Sequence, residues 1–465
     1  MEGIITSIKI LGNSKKYTLL SLKKDTLILE EIILKEDIPL GNFVKIDTED
    51  KITESKKSSN KVLSTLKENI NLIIDKELDR PDYVSDIDEL NQAIRKLTPF
   101  MKKHAKTFLL KLFFGAPIII RYHNDADGST GAYSVYLSIL EILSKFNIQI
   151  KPNITWLMQK NVIYELGDAI FDKNLENYFM TIEKPLLYIT DFGTSIQSNK
   201  GAEKITETFD VIWLDHHPIE KGFFGENFNG YLNPWSLGFD SEITAGFLSS
   251  LFGYVISGKI SAEIINASFI GDYSKYADPK KPGNDLALFL DMATSDPSAL
   301  GSYNSKNITP YELYNIITDK EKYLSFINTA KMKMEEAIEK AKNNIKKYKV
   351  NETIIYVCDF SNVKNKESKY PLPGRFSSKL LDVLMEESRN SILILHFGVY
   401  ISFRIPKELS EKVQILKIIE EFKGNSEDVD SGGGHSSAAS IKLYESTDKK
   451  AYIKLIIEKI KNQLE

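Results

Sequence analysis

The chain has a single cysteine among 465 residues, Cys358 in the apolar run Ile354 to Cys358, which excludes an intramolecular disulfide and a thiolate zinc site. Cys358 is expected in a buried strand. Long hydrophobic runs are also lacking: Pro117 to Ile120 and Ser391 to Leu395 are strand-length, far short of the ~20 apolar residues that a membrane helix needs. The start, Met1-Glu2-Gly3-Ile4-Ile5-Thr6, has neither the basic and apolar regions of a secretory signal nor an arginine-rich transit pattern. A cytoplasmic location without a membrane partner is therefore expected. No charge of one sign dominates: 60 basic against 64 acidic residues leave a net charge of −4. That excludes a polyelectrolyte that coats nucleic acid, so any such ligand must bind in a local groove. Internal repeats and extended low-complexity tracts are absent too.

What is there suits large cores in at least two domains, with 42% hydrophobic and 27% charged residues. Residues 1–54 alternate β-rich segments with Gly, Asn and Asp turns and are expected to form a small β module, OB-like in character. From 55 to 114 the apolar residues Leu63, Leu66, Ile70 and Ile73, then Leu90, Ile94 and Leu97, recur every three or four positions, as in a charged helical connector. Residues 115–305 show short apolar runs that end in polar clusters, the signature of an α/β domain. Strands are expected at Ile118 to Tyr122, Ile154 to Met158, Leu186 to Thr190 and Val211 to Leu214, with a helix from Gly131 to Lys145. Residues 306–350 read as a charged linker helix. Residues 351–465 mix strands and helices again and make a second α/β domain.

Three of those strands end in groups that carry chemistry. The first runs into His123-Asn124-Asp125-Ala126-Asp127-Gly128. Alternate residues of an extended segment point the same way, so His123, Asp125 and Asp127 can face one side. By itself this motif is equally a solvated acidic turn. The third strand ends in Asp191, which alone could be a turn or cap residue. The fourth ends in Asp215-His216-His217-Pro218, and paired histidines behind an aspartate are hard to explain as packing. Asp272, in Phe269-Ile270-Gly271-Asp272, is a loop carboxylate if taken alone. His123, His216, His217 and His435 are four of only six histidines in the chain, and all lie in the motifs described. The whole set offers oxygen and nitrogen ligands without thiolates, which suits Mn²⁺ or Mg²⁺. Two such cations about 4 Å apart can activate water and stabilise charge on a phosphoryl group. In the last domain, Gly432-Gly433-Gly434-His435 offers backbone N–H groups and an imidazole to an anion.

The four acidic and histidine motifs resemble those of the DHH phosphoesterase superfamily, and the glycine run is similar to the glycine-histidine loop of the DHH-associated domain. The match covers about Gly115 to Glu465 and is most similar to archaeal RecJ-like exonucleases, relatives of the eukaryotic helicase cofactor that travels with the GINS complex. The resemblance implies a bilobal α/β protein: a parallel-sheet DHH domain and a smaller mixed α/β DHH-associated domain joined by a long helix. It implies two divalent cations, Mn²⁺ preferred and Mg²⁺ as the alternative. One would be held by His123, Asp125 and Asp191, the other by Asp127, Asp191, His216 and Asp272, with Asp191 as the bridge. His217 would contact the scissile phosphate or donate a proton, with Asp215 orienting the histidine pair. Gly432, Gly433, Gly434, His435 and Arg375 would hold substrate phosphates. Arg404 and Trp235 are weaker candidates, Arg404 being equally a surface salt-bridge residue and Trp235 either a base-stacking or a packing residue. The implied reaction is exonucleolytic hydrolysis of single-stranded DNA or RNA, with GINS as an expected partner. The alternatives are a phosphodiesterase for small nucleotides and a non-catalytic GINS or helicase scaffold.

Overall fold

The computed structural model describes residues 1–23, 26–300, 307–363, 369–425, 428–434 and 436–465. They divide into two compact units, Met1–Leu290 with Gly301–Tyr323, and Asp291–Leu300 with Leu324–Glu465.

The first unit opens with antiparallel strands β1 (Glu2–Leu11), β2 (Ser14–Lys23), β3 (Thr26–Leu34), β4 (Asn42–Ile46) and β5 (Ile52–Lys57), in the order β3-β2-β1-β4-β5. Ile5, Ile8, Tyr17 and Leu19 join one apolar cluster and Ile4 and Leu20 another, so both faces are buried; a bulge between Ile5 and Ser7 brings Ile8 to the face of Ile5. The second cluster is shared with helices α1 (Asn60–Leu78) and α2 (Asp88–Phe113). These helices are not the connector expected over 55–114. Ile70 and Ile74 of α1 and Leu90, Ile94, Leu97, Met101 and Phe108 of α2 are buried with Ile118 and Ile120 of the next strand. A stripe every three or four residues shows which face of a helix is apolar, but not how much partner surface meets it.

The rest of this unit alternates strand and helix: β6 (Ile118–His123), α3 (Ala126–Lys145), β7 (Ile154–Gln159), α4 (Leu166–Glu176), β8 (Phe179–Thr181), β9 (Leu186–Thr190), α5 (Asn199–Thr206), β10 (Asp210–Leu214) and β11 (Gly230–Leu232). Helices α6 (Ala245–Ser257), α7 (Ala262–Gly271) and α9 (Pro310–Thr318) follow, and α8 (Asn284–Ser295) is divided between the two units after Leu290. The four expected strands are present to within one residue at each end. β8 pairs with β1 across Ser7–Lys9, which ties the N-terminal sheet to this region. β11-β10-β9-β6-β7 form a parallel sheet. Ile118, Ile120, Tyr188 and Ile212 face one apolar cluster, and Ile119, Leu187, Ile189 and Val211 face another that includes residues of α4 and α5. The continuous apolar runs of these strands thus reflect burial on both faces. The chain adds β7 on one side of β6 and all later strands on the other, so the order switches between β6 and β9. A crevice opens beyond the carboxyl ends of strands at such a point.

The linker expected over 306–350 is two helices and a strand: α9, α10 (Lys320–Asn344) and β12 (Lys346–Val350). Asp319, with extended backbone at ψ 93°, interrupts the helical run, and its carboxylate accepts from Lys322 N–H at 3.2 Å.

In the second unit β12, β13 (Thr353–Asp359), β14 (Ser391–Phe397), β15 (Tyr400–Arg404), β16 (Val429–Gly434) and β17 (Ala438–Leu443) form a mixed sheet, ordered β12-β13-β14-β15-β17-β16. Only the β13–β14 ladder is parallel. Helices α11 (Pro373–Glu387), α12 (Lys407–Ser410), α13 (Ile415–Asn425) and α14 (Lys449–Leu464) complete it. Its core includes Ile355, Ile394, Phe403, Ile441 and Ile456, and Cys358 is buried in β13.

Candidate metal centre

β6 carries His123 to the carboxyl end of the sheet, and the chain turns there at once. Asp125 caps α3, its Oδ1 accepting from Gly128 N–H at 2.9 Å. The helix therefore starts at Ala126 rather than at Gly131, and Asp127 lies in its first turn. Strand alternation, the expected reason for His123, Asp125 and Asp127 to face one side, does not apply to Asp127; the cap brings it round. Gly128 is needed for that turn, because a Cβ would stand 2.5 Å from the carbonyl oxygen of His123 and 2.8 Å from its nitrogen.

Asp191 follows β9 with φ 61°, a left-handed conformation uncommon for a residue with a Cβ. Its N–H donates to the Leu214 carbonyl at 3.2 Å, which holds the turn. Strain of this kind clusters at functional sites. Asp215, His216 and His217 follow β10, and Asp272 sits at the C-terminal cap of α7. Asp127, Asp191, Asp215 and His216 are buried.

These side chains converge around Asp191. Its Oδ2 lies 3.4 Å from His123 Nδ1, which is itself 2.8 Å from Asp125 Oδ2. Its Oδ1 lies 3.5 Å from His216 Nε2 and 3.9 Å from His217 Nδ1. His216 Nε2 is 3.8 Å from Asp127 Oδ2, and His216 Nδ1 is 3.6 Å from Asp272 Oδ2. Two groups offer ligand atoms at spacings that suit a metal ion: His123, Asp125 and Asp191, and Asp191, His216 and His217. Asp191 is common to both. The second group differs from the expected ligand set: it includes His217 and lacks Asp127 and Asp272. His217 Nδ1, however, donates to Asp215 Oδ1 at 2.8 Å, which leaves Nε2 as its free nitrogen and favours a role toward substrate. His216 is held differently, its Nδ1 donating to the Ser241 carbonyl at 2.8 Å. Its Nε2 is the nitrogen that faces Asp191 and Asp127, and in the neutral ring it is the one left for a metal ion. Asp215 was expected to orient both histidines; it orients only His217, because a single carboxylate faces one ring and a backbone carbonyl meets the other.

The electrostatics are those of a site built around positive charge. Burial, with Asp191 close by, pushes Asp127 well above the usual carboxylate range. Burial would raise Asp191 as well, but the closeness of His123 and His216 brings it well below. Desolvation opposes the charging of His123, yet Asp125 and Asp191 hold its imidazole well above the ordinary value. His216 is raised in the same way by Asp272, Asp191 and Asp127 against its burial. Among the described residues the buried Oδ2 of Asp191 has no hydrogen-bond partner. Crowded carboxylates and an orphaned buried oxygen fit divalent cations, which supply the missing charge and partner.

Several supporting groups escaped the sequence reading. Asn233 Nδ2 donates to the His217 carbonyl at 2.9 Å and to Asp215 Oδ2 at 3.4 Å. Ala245 and Gly246, at the start of α6, and Ser268 of α7 contact the Asp127 carboxylate. The small-residue string Thr244-Ala245-Gly246 is a sequence signal that could have led there. Trp235 uses its indole N–H on the His216 carbonyl and Ser241 Oγ, both at 3.1 Å, and remains 42% exposed.

The other candidates lie in the second unit. Gly432, Gly433 and Gly434 belong to β16, an edge strand paired with β17, rather than to a free loop. Of the three, only Gly434 adopts a positive φ. His435 lies outside the described residues. Arg375 Nε pairs with Asp291 Oδ2 at 2.8 Å. The guanidinium of Arg404 donates to Ser378 Oγ at 2.9 Å, the Phe403 carbonyl at 2.9 Å and the Gly374 carbonyl at 3.3 Å, which ties β15 to α11.

No family model matches the chain. Among solved structures, the DHH domain of a member of the S1p family of ribosomal proteins superposes with a TM-score of 0.69 at 20% identity, over 86% of this chain and 99% of that one. The fold is that of a DHH domain. A RecJ from Thermus thermophilus, solved with Mn²⁺, aligns with a TM-score of 0.46 at 13% identity over 85% of this chain and 58% of that one. In sequence, an uncharacterized protein of Methanocaldococcus jannaschii is 26% identical over 457 aligned residues and 85% of this chain. The DHH-fold chain spans only 58% of that relative's length.

Proposed function

We propose that this chain is a two-cation phosphoesterase that hydrolyses phosphodiester bonds of single-stranded DNA or RNA. The observation that carries the reading is Asp191, shared by two ligand groups at the switch point between β6 and β9. His123, Asp125 and Asp191 would hold one cation, and Asp191, His216, Asp127 and Asp272 the other. Bound there, two divalent cations supply Lewis-acid stabilisation of a phosphoryl group and make water nucleophilic near neutral pH. Asp215 keeps the Nδ1 proton of His217, which leaves Nε2 for substrate. Desolvation opposes protonation of that ring, but Asp215 outweighs it and raises the imidazole above its ordinary value. A protonated Nε2 can then bind a phosphate oxygen or give a proton to the leaving oxygen. In the second unit, the backbone of Gly432, Gly433 and Gly434 and the guanidinium of Arg375 are proposed to hold substrate phosphates, with Arg375 shared between phosphate and Asp291.

Single-stranded nucleic acid as substrate and GINS as partner rest on the resemblance of the motifs. Incubation of the purified chain and Mn²⁺ with 5′- or 3′-labelled single-stranded DNA and RNA tests the substrate and fixes the polarity together. Release of labelled mononucleotides supports the reading. Hydrolysis confined to short oligonucleotides or cyclic dinucleotides would assign it to small substrates, and inertness toward all of them would leave a scaffold role, for which GINS in a native pull-down is the measure.

A further inference from the structure

Asp127 is 1% exposed, and three donors from two helices meet its carboxylate. Gly246 N–H and the Ser268 hydroxyl both donate to Oδ1, at 2.9 and 2.5 Å. Ala245 N–H donates to Oδ2 at 2.9 Å. The hydroxyl protons can be assigned in turn. Thr244 Oγ1 accepts from Phe247 N–H at 3.3 Å and contacts Ser268 Oγ. Because Ser268 gives its proton to Asp127, Thr244 must give its own to Ser268. Gly246 allows this approach, since a Cβ would stand 2.2 Å from Thr130 Oγ1 and 2.7 Å from Ser268 Oγ.

An ionised carboxylate has about four acceptor sites, two on each oxygen. Two donors fill Oδ1, whereas Oδ2 has one donor and one site to spare. Oδ2 is also the oxygen 3.8 Å from His216 Nε2. We propose that Ser268 is a positioning residue for Asp127: with the N-terminal amides of α6 it saturates Oδ1 and leaves Oδ2 as the oxygen that binds a cation. This rests on the two-cation reading above. Ser268 touches neither cation nor substrate; it acts through the carboxylate, as hydrogen bonds behind metal ligands do.

Calorimetric titration of the full metal-free chain with Mn²⁺ tests the proposal, using the wild type, Ser268→Ala and Ser249→Ala. Ser249 is an equally buried hydroxyl on α6, bonded to Tyr188 Oη at 3.0 Å and Thr190 Oγ1 at 2.8 Å, and so controls for the loss of a buried hydroxyl as such. The expected result is a loss of about ten-fold or more in affinity for one cation in Ser268→Ala, with the second cation and both affinities of Ser249→Ala unchanged. Should Ser268→Ala not fold, Ser268→Cys, a somewhat larger side chain with a weaker donor, is expected to lose affinity for the same cation. Two cations bound by the wild type, with affinities unchanged in the folded Ser268 variant or equally reduced in Ser249→Ala, would overturn the proposal while leaving the two-cation reading intact. A wild type that binds no divalent cation overturns both.

Discussion

Asp215 Oδ1, on a fully buried side chain, accepts a hydrogen bond from His217 Nδ1 at 2.8 Å, and its other oxygen accepts from the backbone N–H of the same histidine at 3.1 Å. One carboxylate thus sets both the ring and the backbone of His217. Asp215→Asn keeps the shape but offers an amide where the ring needs an acceptor. Turnover is expected to fall by about 10² to 10⁴, the usual worth of a positioned acid or base, while Mn²⁺ affinity stays at the wild-type level. Steady-state hydrolysis and calorimetry on the same preparation check this; equal loss of metal and activity would instead place His217 among the ligands.

Asp191 and Asp272 should separate in their effects. Asp191 belongs to both ligand groups, whereas Asp272 is in neither and lies beside His216. Asp191→Ala is expected to abolish binding of both cations and to lower activity by about 10³-fold or more, the loss of several kcal/mol of charge stabilisation. Asp272→Ala should retain one cation. Bound Mn²⁺ per chain, measured by elemental analysis after dialysis, distinguishes them, and equal stoichiometry in the two variants would remove Asp191 as a bridge.

Gly128→Ala should be costly despite its single added methyl. The atoms in its way are the backbone nitrogen and oxygen of His123, which cannot swing aside as a side chain can. Overpacking of about 1–3 kcal/mol is expected, measured as the shift of the urea midpoint, together with weaker Mn²⁺ binding because His123 is the residue displaced. A stability within a few tenths of a kcal/mol of wild type would show that the α3 start can yield.

His104 of α2 offers a pH test away from the metal centre. It is 3% exposed, and burial pushes its pKa down to about 4 from an ordinary 6.5. The native ring stays neutral while the unfolded ring protonates, so stability is present above pH 6.5 and is lost as the pH falls toward 4. The difference amounts to about 3 kcal/mol at most. Urea unfolding of the wild type and of His104→Phe, which does not titrate, should diverge in favour of the variant over that interval. Parallel pH profiles would show that the native ring finds a partner for its proton.

Strand positions and the order of the motifs were legible in the chain itself, because a parallel strand buried on both faces needs an uninterrupted apolar run, and Leu186 to Thr190 or Val211 to Leu214 can hardly be read otherwise. Residues beyond such runs lie near the carboxyl edge of the sheet, which is why His123, Asp191 and Asp215 to His217 stood out as a set, while their roles as ligands came from the resemblance of the motifs. Burial of α1 and α2 was not legible. Their periodicity shows an apolar stripe, and only the assembled sheet supplies the surface that covers it. The same holds for the tuning of the centre. Ser241 and the start of α6 act through a backbone carbonyl and two N–H groups that almost any residue type could provide, and Asn233 and Ser268 through an amide and a hydroxyl that recur all along the chain. What makes them specific is the packing of α6 and α7 against α3, which brings Asp127 within reach of groups more than a hundred residues away in sequence.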